Sequence, residues 1–136
     1  MRNKSIEQLE NDFWKEPSTF PTGMVENCYR YRKIILSDLT IEQIRLLISQ
    51  KIGLEHLIEL ALEKLEGNIL SEGYNYEGDL LEAVSRIPSE FWIKNAKALQ
   101  KLIRLVELSS EKIKKEIGEK YFNQIYQGIK DSSQKV

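Results

Sequence analysis

A chain of 136 residues fits one domain and can bury a hydrophobic core without disulfide or metal staples. Apolar residues at 41% and charged residues at 30% are ordinary for a globular protein and exclude a disordered chain. The net charge of −1 conceals a polarity: residues 41–90 hold ten acidic and four basic side chains, a local −6, whereas residues 91–136 carry +5. A single cysteine, Cys28, excludes an internal disulfide and gives no zinc framework, which fits a reducing compartment. The N-terminal residues have no apolar h-region, and no apolar run approaches the roughly 18 residues of a membrane helix. The expectation is a cytoplasmic protein without membrane contact.

Ser5 to Gln8 reads as a capping box, followed by an apolar stripe of Ile6, Leu9, Phe13 and Trp14 that Pro17 ends. Residues 18–23 form a loop. Residues 24–35 suit both readings: Met24 and Cys28 have helical spacing, and Tyr29, Tyr31, Ile34 and Ile35 also suit extended structure. Thr40 and Gln43 make a second capping box, and Ile41, Ile44, Leu47, Ile48 and Ile52 share one helical face that Gly53 is placed to stop. A further helix carries Leu54, Leu57, Ile58, Ala61, Leu62 and Leu65 and ends at Gly67-Asn68. Leu47, Ile48, Leu57, Ile58, Ala61 and Leu62 should therefore be buried together.

Residues 71–78 are a loop. Asp79 to Arg86 is a short helix halted before Pro88, and Ser89 caps the next, which carries Trp92, Ala96, Leu99, Leu102, Ile103 and Val106. Ser109 and Ser110 break it, and Ile113, Ile117, Tyr121, Ile125 and Ile129 make a final stripe. No alternating β pattern persists. The prediction is an all-α, single-domain bundle of about six helices over residues 1–130, with a flexible polar tail at 131–136.

Nothing in the chain argues for catalysis. The lone histidine, His56, lies on a glutamate-rich helix and reads as a surface or partly packed side chain; a di-iron bundle needs two Glu-x-x-His motifs. Cys28 reads as a buried, inert thiol. No serine elbow and no phosphate-binding Gly-Lys-Ser/Thr loop is present. The expectation is no enzyme, with no catalytic, cofactor-binding or metal residues. Nucleic-acid binding is disfavoured too, because the helix after Gly53 presents Glu55, Glu59, Glu63 and Glu66 and would repel a duplex. The C-terminal lysines, including Lys112, Lys114 and Lys115, are diluted by Glu107, Glu111, Glu116 and Glu119.

Two features point to a protein partner. Glu55, Glu59 and Glu63 are successive i, i+4 neighbours of like charge, each pair costing an isolated helix a few tenths of a kcal/mol. Either a basic partner neutralises that face or the C-terminal lysines do so within the fold. The loop Glu72-Gly73-Tyr74-Asn75-Tyr76-Glu77-Gly78-Asp79 adds aromatic area at low ordering entropy, with carboxylates that accept from Arg and Lys. Tyr76 and Asp79 suit structural roles, and Tyr74 and Glu77 suit an outward face.

The same residues carry a family likeness. Leu9-Glu10-Asn11-Asp12-Phe13-Trp14, Leu39 to Gln50, Ile52-Gly53-Leu54, Leu60-Ala61-Leu62, Leu65, Gly78-Asp79-Leu80-Leu81 and Phe91-Trp92 follow one another in an order and spacing that resembles the immunity proteins of bacterial contact-dependent growth inhibition systems. The likeness covers roughly residues 5–95. It implies a small cytoplasmic inhibitor that binds, one to one, the C-terminal toxin domain of a cognate effector. Such toxins are often nucleases with basic clefts. The resemblance does not assign the contact residues; charge and loop chemistry nominate Glu55, Glu59, Glu63, Glu72, Tyr74 and Glu77. The alternative is a helical regulatory or scaffold protein that binds nucleic acid through its basic C-terminal helices.

Overall fold

Local sequence sets the first helix starts. In the computed structural model, which describes residues Met1–Val136, Ser5 and Thr40 open α1 (Ile6–Glu10) and α3 (Ile41–Ser49). Both use complete capping boxes: Gln8 Oε1 accepts from the Ser5 amide at 2.8 Å, and Gln43 Oε1 accepts from the Thr40 amide at 3.0 Å. Each box satisfies amides that a first helical turn leaves without partners. Between them, Thr22 Oγ1 accepts from the Val25 amide at 3.1 Å and starts α2 (Gly23–Tyr31). Beyond α2 the chain turns at Arg32 and Lys33, Ile35 forms an antiparallel bridge to Ser5, and a 3-10 turn at Leu36–Asp38 leads into α3. The ambiguous segment is thus helical through Tyr31, with Ile35 alone in a β-bridge.

The chain continues through α4 (Leu54–Gly67), α5 (Asp79–Ser85), α6 (Ser89–Lys94), α7 (Ala96–Leu108), α8 (Ser110–Glu116) and α9 (Glu119–Gln134). The fold is all-α, with nine helices rather than about six. The helical 23–31 segment adds one. Asn95, at φ −135° and with its side-chain amide donating to Phe91 O at 2.9 Å, divides α6 from α7. Gly118, at φ +128°, divides α8 from α9. Apolar periodicity crosses both breaks because Trp92, Leu99, Ile113 and Ile125 all face the same core. The last helix runs on through Gln134, into the polar 131–136 segment.

Two further boundaries differ from the sequence reading. Helix α1 stops at Asn11, which adopts the left-handed conformation at φ +51°, well before Pro17. Phe13 is consequently 59% exposed. Trp14 leaves the expected stripe and lies over the buried Arg32 guanidinium at 4.0 Å, edge-on to Tyr29. The stop of α3 is Lys51, left-handed at φ +60°, with the Ile52 amide returning to Leu47 O at 2.9 Å. Gly53 instead opens α4, where an added Cβ would meet Ile6 Cδ1 at 2.7 Å.

One core runs through the molecule. Leu47, Ile48, Leu57, Ile58, Ala61 and Leu62 are buried together in it, as both central stripes predict. Helix α3 packs on α4 and α5, α4 also packs on α7, and α9 closes against α5, α6, α7 and α8. This packing brings α3 and α5 side by side beneath the 68–78 connection.

Candidate functional site

The tip of that connection is held by two buried carboxylates. Asp79, in the first turn of α5, accepts from the Gly73 amide at 2.7 Å through Oδ1 and from the Asn75 and Tyr76 amides at 3.0 and 3.4 Å through Oδ2. Glu42, in the first turn of α3, accepts from the Tyr74 amide at 2.7 Å. Four consecutive backbone donors are therefore satisfied from below. Arg45, one turn along α3, donates Nε and Nη2 to the two Glu42 oxygens at 2.7 and 2.6 Å. Its Nε also lies 3.7 Å from Asp79 Oδ2, which joins the two carboxylates through one guanidinium. Bidentate pairing of this kind fixes direction as well as charge. Arg45, with help from the Tyr74 amide, holds the Glu42 carboxyl below the usual glutamate range despite its burial.

Two glycines and a tyrosine complete the support. A Cβ on Gly73 would overlap the Glu42 carboxylate and sit 3.1 Å from Asp79 Oδ2. Gly78 turns the chain into α5 at φ +92°, a conformation that disfavours side chains, and its carbonyl accepts from the Tyr121 hydroxyl of α9 at 2.6 Å. Burial pushes the Tyr121 hydroxyl above the usual tyrosine range. On this base Tyr74 projects with 83% of its surface exposed, flanked by exposed Glu72 and Glu77. Tyr76 is less exposed, and burial followed by a hydrogen bond to Glu82 raises its hydroxyl in the same sense.

The acidic helix face is built differently. Glu55, Glu59 and Glu63 all stand exposed along α4, at one-turn intervals. Arg2 pairs with Glu63, and Lys101 of α7 reaches Glu66 at 3.4 Å. Arg2, Glu59, Glu63, Lys97 and Lys101 line a groove of about 420 Å³, and Lys94 stands beside Glu55 where the seam continues. Glu55 and Glu59 themselves form no ion pair. Part of the charge is thus balanced within the fold. His56 is half-buried on the same helix, its Nε2 3.9 Å from Glu10.

Of the six residues nominated from sequence, the structure groups Glu72, Tyr74 and Glu77 over α3 and α5, and Glu55, Glu59 and Glu63 beside α7 and the N-terminus. The loop borders a different cleft, of about 250 Å³, whose lining includes Arg45, Lys51, Asn75, Asp79 and Arg86. Sequence reasoning missed Glu42, Arg45 and Gly73. Their only signal was the i, i+3 spacing of Glu42 and Arg45, which equally describes a solvated surface pair.

Elsewhere the chemistry is quiet. Cys28 is buried, and burial raises its thiol, leaving little thiolate to react. No group of three His, Cys, Asp or Glu side chains is arranged to hold a metal ion, and no helix is long and apolar enough to cross a membrane. The packed helical frame presents an exposed aromatic tip at Tyr74 and charged faces. The chain belongs to the CDI immunity proteins, whose family model matches residues 8–102. An immunity function and a cognate toxin partner follow from that membership. No match is found among curated proteins or solved structures.

Proposed function

We propose that this protein is a non-enzymatic, cytoplasmic inhibitor that binds the C-terminal toxin domain of its cognate effector one to one, and that this toxin is a nuclease. The nuclease assignment is supported by the −6 charge of residues 41–90, which suits a basic substrate cleft. The observation that carries the contact surface is Tyr74, 83% exposed on a loop whose four amides from Gly73 to Tyr76 are engaged. A large aromatic side chain on a rigid support loses little entropy on binding, the property of an interface anchor. Glu72 and Glu77 surround it with acceptors for Arg and Lys. Glu55, Glu59 and Glu63 contribute long-range attraction, with Glu63 the weakest because Arg2 shares its charge.

The test is co-expression with the C-terminal domain of the neighbouring effector, followed by binding kinetics on purified proteins. Tyr74→Ala is expected to raise the dissociation rate about thirtyfold, the size of a 2 kcal/mol hot spot. Glu55→Lys combined with Glu59→Lys should lower the association rate and its salt dependence. Unchanged kinetics in variants that melt like the parent would remove these residues from the interface. Micromolar binding to RNA or DNA at physiological salt would favour a nucleic-acid role instead.

A further inference from the structure

The loop residues in the interface are few, and what fixes them lies outside it. Hydrogen bonds from four successive amides, Gly73 to Tyr76, run down to Glu42 and Asp79, which lie 37 positions apart in the chain on the packed helices α3 and α5 and whose carboxylates meet at Arg45. The ends of the connection are held by buried Ile69 and Leu70 and by the Tyr121 hydroxyl on Gly78, but between Gly73 and Tyr76 the backbone donors are held by these two carboxylates. Both carboxylates are buried, so a partner seated on Tyr74 reaches neither of them directly.

We infer that Glu42 and Asp79, bridged by Arg45, are positioning residues of the toxin interface: they hold the loop in its binding shape before the toxin arrives. This rests on Tyr74 being an anchor. With the clamp intact the loop is ordered in the free protein, and docking need not fold it. With the clamp weakened, only a fraction of molecules present Tyr74 correctly, and apparent affinity falls by that fraction. The loss appears in the association rate, because the complex, once formed, keeps its contacts. Removal of the anchor itself acts on dissociation. The two kinds of residue are thus separable by kinetics.

Amide hydrogen exchange on the free protein and toxin-binding kinetics test this on the same variants. Glu42→Ala should speed exchange at the Tyr74 amide at least tenfold and lower the toxin association rate by a similar factor, with the dissociation rate little changed. Glu42→Gln keeps an oxygen for that amide and should recover most of both. Gly73→Ala leaves both carboxylates in place but drives a Cβ against them, so it should reproduce the Glu42→Ala pattern by a second route, whether or not Glu42→Ala folds. Protection unchanged in Glu42→Ala and Gly73→Ala, or lost protection with an unchanged association rate, would overturn the inference. Normal binding by Tyr74→Ala would instead defeat the anchor reading, and the exchange data would still report whether the clamp orders the loop.

Discussion

The 68–78 loop and the acidic face of α4 carry similar charge, and the fold treats them in opposite ways. Beneath the loop the critical carboxylates, Glu42 of α3 and Asp79 of α5, are buried and spend their acceptors on backbone amides, while the tyrosine above them stays exposed. On α4 the carboxylates stay in water, and of the exposed glutamates only Glu63 and Glu66 form ion pairs. Buried, hydrogen-bonded charge determines shape, because removing one member strands the others. Exposed charge is screened and determines little shape, but it acts at a distance on an approaching partner. One region therefore has its shape fixed by buried charge, and the other leaves its charge in solvent, which in the proposed interface gives the first rigidity and the second attraction.

The strongest way to break this contrast is to remove the central acceptor. Asp79→Ala leaves three amides and Arg45 without their carboxylate and is expected to cost about 3–5 kcal/mol in urea unfolding. A loss under 1 kcal/mol would mean that the loop does not depend on the clamp. Tyr121→Phe removes one hydrogen bond to the Gly78 carbonyl and should cost about 1 kcal/mol, with no change in helix content by circular dichroism.

Acid sharpens the comparison further. The fold favours ionised Glu42, so its contribution is fully present above the unfolded glutamate value of about 4.3 and is lost as pH falls through the depressed folded value. Stability between pH 6 and 3 should accordingly fall less steeply in Glu42→Gln than in the parent. Parallel curves would show that Glu42 is not the responsive group. The smallest effect is expected on the stripe, where Glu59→Lys should alter stability by less than about 0.5 kcal/mol. A loss above 1 kcal/mol would mean that Lys94 and Lys97 already hold that face closed.

Central helices α3 and α4, their shared core and the two capping boxes were legible because they depend on local spacing: Ser5 with Gln8, Thr40 with Gln43, and apolar residues every three or four positions. The outward direction of Tyr74 and the structural role of Asp79 were legible from loop chemistry, and the buried state of Cys28 from its helical spacing to Met24. The helix count was not. Asn95 and Gly118 interrupt the backbone without interrupting the apolar face, and periodicity registers only the face. Asn11 and Lys51 took left-handed conformations that glycine usually holds, so composition placed those helix ends too late.

Propensity, apolar periodicity and local charge, all properties of neighbours in the chain, thus determined an all-helical domain with an acidic middle and an aromatic loop. Tertiary structure alone decided that Glu42 and Asp79 meet through Arg45, and that the α4 glutamates stand beside Arg2, Lys97 and Lys101. Those encounters join residues far apart in sequence, and their energies depend on burial and on distances of a few ångströms, which no linear pattern encodes.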